Sequence, residues 1–373
     1  MRFGRAAVFL TVCAGAIAGV AAYIYIVHGR AFSPAPSVTV NSSVVAPTVE
    51  SGQSVESEVT PTPAVENKAP TPVDVEKAPA PPQPTEIYFR YTGLDAHYGK
   101  LARVRLTGNA GPEFFDTLDC EVVHVAGRRG LCLSAERGVI TTYKARVFDT
   151  RSLNVLADLP LAGVPSRCRV SRDGRRAALT VFVSGHGYTA VNFSTQTLLI
   201  DLAKGTVDAD LEKFTVSKDG TPIQASDFNF WGVTFAADSR YFYATLSTAG
   251  EHYLIKGDAK MHSAEVIRKG MECPSLSPDG RRIAFKQRFT DDGRVQWHIA
   301  VFDLASGRET VLAEGRSVDD QLEWLDDRRV LYSMPAGEGG SGATTDVWVA
   351  RVNGGGGGPE RFLGNAYSPA VLR

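Results

Sequence analysis

Ser277-Pro278-Asp279-Gly280-Arg281-Arg282-Ile283-Ala284-Phe285 decides the fold, because the same turn-and-strand unit recurs along the chain. Ser171-Arg172-Asp173-Gly174-Arg175-Arg176-Ala177-Ala178-Leu179 is a second copy. Ala236-Ala237-Asp238-Ser239-Arg240-Tyr241-Phe242-Tyr243 and Trp324-Leu325-Asp326-Asp327-Arg328-Arg329-Val330-Leu331-Tyr332 are a third and a fourth. A worn copy is His124-Val125-Ala126-Gly127-Arg128-Arg129-Gly130-Leu131-Cys132. The usual step is roughly 41–48 residues, the period of a four-stranded propeller blade. Proline presets φ at the first central position of the turn, and the glycine two residues later tolerates positive φ. Runs rich in Val, Ile, Phe and Tyr beside these turns read as strands.

The clearest copy reads as four strands: Glu272–Ser277, Arg282–Gln287, Trp297–Leu304 and Glu309–Ala313, here called a, b, c and d. The ends of the domain supply the blade count. Glu86–Phe89, Lys100–Leu106 and Phe114–Leu118 resemble strands b, c and d with no strand a before them. Tyr367-Ser368-Pro369-Ala370-Val371-Leu372 resembles Glu272–Ser277, a strand a with nothing after it. The two ends therefore share one blade, and five complete copies bring the total to six. The fold expected is an all-β, six-bladed propeller over residues 86–373, closed so that no sheet edge is left to template aggregation.

Two segments precede it. Arg2 and Arg5 lead into an uncharged apolar run from Ala6 to Val27. At a helical rise of about 1.5 Å per residue the run is about 33 Å long, enough for the hydrocarbon core and longer than a usual signal-peptide core. Residues 1–30 are read as one transmembrane helix with a cytoplasmic N-terminus, in preference to a cleaved signal; either way the remainder is exported. Cys13 does not make a lipobox, since Val12 stands where a small residue is expected. Residues 31–85 hold more than half of the prolines and one aromatic, Phe32. Such a stretch cannot bury enough apolar surface to offset its ordering entropy, so it is read as a disordered linker.

These repeats resemble the propeller domain of TolB and its relatives, with WD-like units carrying a Ser-Pro-Asp-Gly signature. Ser277–Arg281 fits the signature fully; the other copies lack the proline or the glycine. The Ser226–Trp231 and Ser317–Trp324 segments look like an exported actinobacterial branch, the TolB-like translocation proteins. The resemblance implies a binding role at the cell envelope. TolB itself is periplasmic with a helical N-terminal domain, which an anchor and a proline-rich linker replace here.

Antiparallel meanders put the a–b and c–d turns on one face of a propeller and the b–c and d–a connections on the other. The first set is short and formulaic. The second varies, and the interval between the second and third copies is about 65 residues, so extra chain is expected there. It includes Ser184–Phe193 as a b–c loop and Ser226–Trp231 as a d–a connection. Long loops on a rigid scaffold are where binding resides. The binding candidates are His186, Tyr188, Asn192, Phe228, Trp231, Asp291, Asp292, Asp319 and Asp320, aromatic, amide and carboxylate groups suited to peptide or glycan. Phe228, Phe230 and Trp231 also read as the start of an inner strand packed between blades, and for Trp231 that reading is preferred.

No catalytic motif is found. There is no Gly-x-Ser-x-Gly elbow, and Gly339-Gly340-Ser341-Gly342 lacks its last glycine. His97, His124, His186, His252, His262 and His298 lack paired helical spacing. The Asp-Asp pairs lack EF-hand spacing, and no cofactor or metal is expected. The net charge of −1 supplies no basic field for nucleic acid. Cys120 and Cys132 lie nearly opposite on adjacent strands, so a disulfide there and free buried thiols are both open. The reading is a non-enzymatic, extracytoplasmic, monomeric binding or assembly module whose partner is an envelope protein, peptide or glycan. The alternative is a propeller hydrolase or lactonase using channel carboxylates, with or without calcium.

Overall fold

The repeated turn is held by its own side chains in the computed structural model, which describes residues 82–108, 110–183, 194–337, 342–352 and 357–373. The Ser277 hydroxyl donates to Asp279 Oδ1 (2.5 Å), which also accepts the Arg281 amide (3.1 Å). Ser277 Oγ in turn accepts the Arg282 amide at 3.0 Å, and Gly280 N–H closes the turn on the Ser277 carbonyl at 2.8 Å. Ser171, Asp173 and Gly174 repeat the arrangement. The carboxylate mimics a backbone turn, so the signature is a structural device. A second such device lies at the c–d turns, where Asp149, Asp201, Asp258 and Asp303 each accept the amides or hydroxyl of the following residues.

Six sheets follow from these turns. Blade I joins the C-terminal strand β26 (Ala366–Leu372) to β1 (Glu86–Tyr91), β2 (Lys100–Arg105) and β3 (Glu113–Asp119). Its closing pair is antiparallel, with Glu86 opposite Leu372 and Tyr88 opposite Ala370. The expected shared blade is therefore present. Blade II holds β4 (Val122–Ala126), β5 (Arg129–Glu136), β6 (Thr142–Asp149) and β7 (Val155–Leu161). Blade III holds β8 (Val164–Val170), β9 (Arg176–Val183), β10 (Ser194–Asp201) and β11 (Thr206–Asp210).

Blade IV departs from the expectation of four strands per copy. Its regular strands are β14 (Asn229–Phe235), β15 (Tyr241–Thr248), β16 (Glu251–Asp258) and β17 (Ser263–Lys269). Outside them lie β12 (Thr215–Lys218) and β13 (Thr221–Ile223), making six strands in order β13-β12-β17-β16-β15-β14. The extra chain between the second and third copies is thus spent partly on an outer hairpin rather than only on loops. A 3-10 turn at Leu211–Lys213 redirects the chain, and β12 then runs parallel to β17. Asn229–Trp231 belong to the inner strand β14 rather than to a connection. Asp219-Gly220, both at positive φ, is the hairpin signal that marks the insertion.

Blade V holds β18 (Glu272–Leu276), β19 (Arg282–Asp291), β20 (Arg294–Asp303) and β21 (Glu309–Val311). Blade VI holds β22 (Glu323–Asp326), β23 (Arg329–Pro335), β24 (Thr345–Arg351) and β25 (Glu360–Leu363). Apolar side chains fill the spaces between sheets. Leu199, Leu211, Phe214, Phe230 and Phe242 join blades III and IV; Ala284, Ile299, Trp324 and Tyr332 join V and VI. Each fully buried side chain of this size contributes about 1.5–3 kcal/mol. Trp324 also donates its indole N–H to the Ser275 carbonyl at 2.8 Å, tying the two inner strands together.

The expected anchor, 1–30, and all but the last residues of the linker, 31–85, lie outside the described residues, as do His186, Tyr188 and Asn192. Among the described residues no helix is long and apolar enough to cross a membrane.

Candidate functional site

Three inner strands share an irregularity that shapes the channel mouth. Gly232, Cys273 and Ser368 occupy equivalent places in β14, β18 and β26, with φ of 65°, 49° and 54°. Strand pairing slips register at each of them. A bulge of this kind bends the strand and re-aims the neighbouring side chain. Only glycine fits at 232, because a Cβ there would stand 2.7 Å from Cys273 Cα. The residues just before the three bulges are Trp231, Glu272 and Tyr367.

These side chains join one polar cluster on the face of the b–c and d–a connections. Trp231 meets the His252 ring edge-on at 5.5 Å, and His252 Nδ1 lies 3.8 Å from Glu272 Oε1. Glu272 accepts the Trp297 indole N–H at 3.1 Å. Lys286, opposite Glu272 across the β18–β19 ladder, sits 4.8 Å from the centre of the Trp297 ring and is bonded to Asp319. Arg167 approaches Asp319 and Asp320 at 3.7 Å each. Asp320 is buried and accepts the Ser333 amide at 2.7 Å. Burial raises its carboxyl above the usual range, against the opposing pull of Arg167. Burial resists ionisation of Asp319 too, but Lys286 and Arg167 hold it below the usual range. Burial and the Asp320 charge push the Tyr367 hydroxyl up to about 12.

Beneath the mouth the channel is bridged from side to side. Arg169 of blade III reaches across to blade VI, where it bonds Glu323 and donates to the Leu322 carbonyl at 2.8 Å. The nitrogen that bonds Leu322, Nη2, is also 3.4 Å from Ser275 Oγ of blade V, while Nη1 is the one on Glu323. His124 of blade II accepts the Val170 amide on Nδ1 at 3.1 Å, which leaves the proton on Nε2, 3.5 Å from Glu323. Burial keeps this imidazole's pKa low. Arg373, at the end of blade I, stands 3.8 Å from the second Glu323 oxygen. Burial works against the Glu323 carboxylate, yet Arg169 and His124 hold its pKa at about 2.

Comparison with solved structures decides the class. TolB from Acinetobacter baumannii superimposes with a TM-score of 0.51 at 15% identity, over 78% of this chain and 67% of that one. The fold is a TolB-like β-propeller. A putative TolB from Agrobacterium tumefaciens aligns over 77% of this chain and 91% of its own, at 12% identity and TM-score 0.46. Tricorn protease aligns over 79% of this chain and 34% of its own, at 14% identity and TM-score 0.32. The last two are too distant to carry an argument. No family model matches the sequence, and no curated protein matches it either.

Within the TolB-like propeller, Trp231, Asp319 and Asp320 come together at the mouth. Phe228 does not: it packs edge-on to Phe230 at 6.1 Å, against the core between blades III and IV. Asp291 and Asp292 also stand apart, exposed at the tip of the β19–β20 hairpin. Asp292 and Gly293 have φ of 46° and 73°, so these residues make the two-residue turn itself. Cys120 and Cys132 are joined in a disulfide with Cα atoms 5.3 Å apart. Cys168 and Cys273 are free and buried, and burial pushes the Cys168 thiol up to about 12. Among the described residues no three His, Cys, Asp or Glu side chains converge to hold a metal.

Sequence reasoning missed Arg167, Arg169, Lys286 and Glu323. Their signal was present, since each is a charge inside an otherwise apolar or inner strand. Arg167 and Arg169 alternate with Cys168 and Val170, so both address the channel.

Proposed function

We propose that this chain is a non-enzymatic binding or assembly module on the outer side of the cell membrane, held there by residues 1–30 and the proline-rich linker. Its ligand, an envelope protein or a peptide or glycan presented by one, sits at the channel mouth. The observation carrying this reading is the asymmetry of the two faces. On one, aspartates are spent on closing turns. On the other, Trp231, Trp297, Tyr367 and the ionisable side chains of Arg167, Glu272, Lys286, Asp319 and Asp320 converge over a channel that Arg169 and Glu323 bridge below. Aromatic rings supply contact area at low entropy cost, and fixed polar groups set orientation. The hydrolase or lactonase reading has no comparable support, because Asp319, Asp320 and Glu272 are set among Lys286, Arg167 and Trp297 rather than pointed at one centre.

The test is photo-crosslinking in the native cells. A photoreactive residue at Arg288, beside the mouth, should capture a discrete extracytoplasmic species. The same residue at Arg281, on the a–b turns of the opposite face, should not. Equal capture from both positions, or none from either, would refute the reading. A cytoplasmic cross-linked partner would refute the location.

A further inference from the structure

The guanidinium of Arg167 is poorly matched to its surroundings. Its side chain is 15% exposed, and its nearest carboxylate oxygens, on Asp319 and Asp320, are both 3.7 Å away. Among the described residues it makes no hydrogen bond. A guanidinium carries five donors in a planar fork suited to a carboxylate at about 2.7–2.9 Å, so this one faces the mouth with its fork unfilled. Lys286 is the reverse case. Its side chain is 3% exposed and its ammonium is held by Asp319, whose own side chain is 57% exposed. Two sheltered cations thus share one carboxylate that belongs to a surface connection, between β21 and β22.

We propose that Arg167 and Lys286 form a subsite for the C-terminal carboxylate of a peptide, and that Asp319 occupies it in the unliganded protein. The proposal rests on the mouth being the binding face. Exchange of one carboxylate for another leaves the local charge unchanged, so the ligand need not supply a new counter-ion. Asp319 is free to leave because solvent already covers more than half of it, whereas a buried partner would be stranded at a cost. A second incompletely paired group lies two residues beyond Asp319. Gln321 donates its amide N–H to the Cys168 carbonyl at 2.9 Å, and its Oε1 is buried with no partner among the described residues.

If Asp319 holds the subsite in about nine molecules of ten, removing it raises apparent affinity about tenfold. The full chain and its Asp319→Asn variant would be titrated with acetyl-trialanine and with the same peptide as its C-terminal amide. Binding would be read from the Trp297 fluorescence, with Trp297→Phe as the blank. Asp319→Asn should bind the free acid about tenfold more tightly than the parent, and neither protein should bind the amide. The double variant Arg167→Met/Asp319→Asn should lose binding. Glucuronate and inorganic phosphate are the comparison anions. Acid and amide bound alike, no gain in Asp319→Asn, or either comparison anion bound as well as the peptide would each overturn the proposal. Because the gain arm does not depend on a weakened variant, unfolding cannot mimic success. A partner captured at the mouth in cells while the tripeptide fails would overturn this subsite and leave the binding face standing.

Discussion

Replacing Arg169 by methionine should destabilise the propeller through the carboxylate it leaves behind. Glu323 is fully enclosed and its pKa stands at about 2 against an ordinary 4.5. A shift of that size is worth about 3 kcal/mol at neutral pH. Methionine keeps the aliphatic stem but not the charge, and Arg373, 3.8 Å from the other Glu323 oxygen, compensates only in part. Stranding one member of a buried pair costs about 3–5 kcal/mol, whereas replacing both members is often near neutral. Arg169→Met should therefore lower Tm by roughly 6–20 °C at pH 7, at about 2–4 °C per kcal/mol for a domain near this size. The double variant Arg169→Met/Glu323→Met should regain at least half of the loss. Calorimetry or urea melts read both. The pH arm follows from the sign of the shift. The folded pKa is depressed, so the contribution is complete above pH 4.5 and fades as pH falls from 4.5 toward 2. That acid slope should be visible in the parent and reduced in Arg169→Met. A double variant as unstable as the single one would refute the reasoning, because the loss would then come from packing and not from the stranded charge.

Glu212 should behave in the opposite sense. Its carboxyl is buried beneath the 3-10 turn, where burial first and then Asp210 raise it to about 8. The folded state therefore binds a proton that the unfolded chain has released, and stability should fall as pH rises from about 4.5 to about 8. Glu212→Gln should flatten that slope in urea melts at pH 5 and pH 8; an unchanged slope would count against it. The Cys120–Cys132 bridge closes a short loop, with a sequence separation of 12. Chain entropy assigns such a loop about 2–3 kcal/mol. Dithiothreitol should lower the Tm of the parent and leave that of the Cys120→Ala/Cys132→Ala variant unchanged, with the bridge read independently by intact mass under non-reducing conditions.

Local chemistry made much of the architecture readable. The Ser277–Phe285 unit carries its own turn in Ser277, Asp279 and Gly280, so its recurrence counted blades. The matching of Tyr367–Leu372 to Glu272–Ser277 located the shared blade, because both strands carry the same bulge one residue in. The outer hairpin of blade IV was hidden for a different reason. Asp219-Gly220 announces a turn, but nothing local says that Thr215–Lys218 lies parallel to Ser263–Lys269, about one blade later in the chain.

The site was less legible. Asp319 and Asp320 could be picked out as loop carboxylates, while Asp291 and Asp292, chemically identical, proved to be a hairpin tip. Residue type did not separate them; position around the channel did. Arg169 and Glu323 are 154 residues apart and meet only because blades III and VI face each other across a closed ring. By itself the sequence determined the repeat, the turn chemistry and the six-fold closure, since each depends on contacts within one blade. Tertiary structure alone decided which charges share the channel, because that depends on closure bringing distant inner strands within reach of one another.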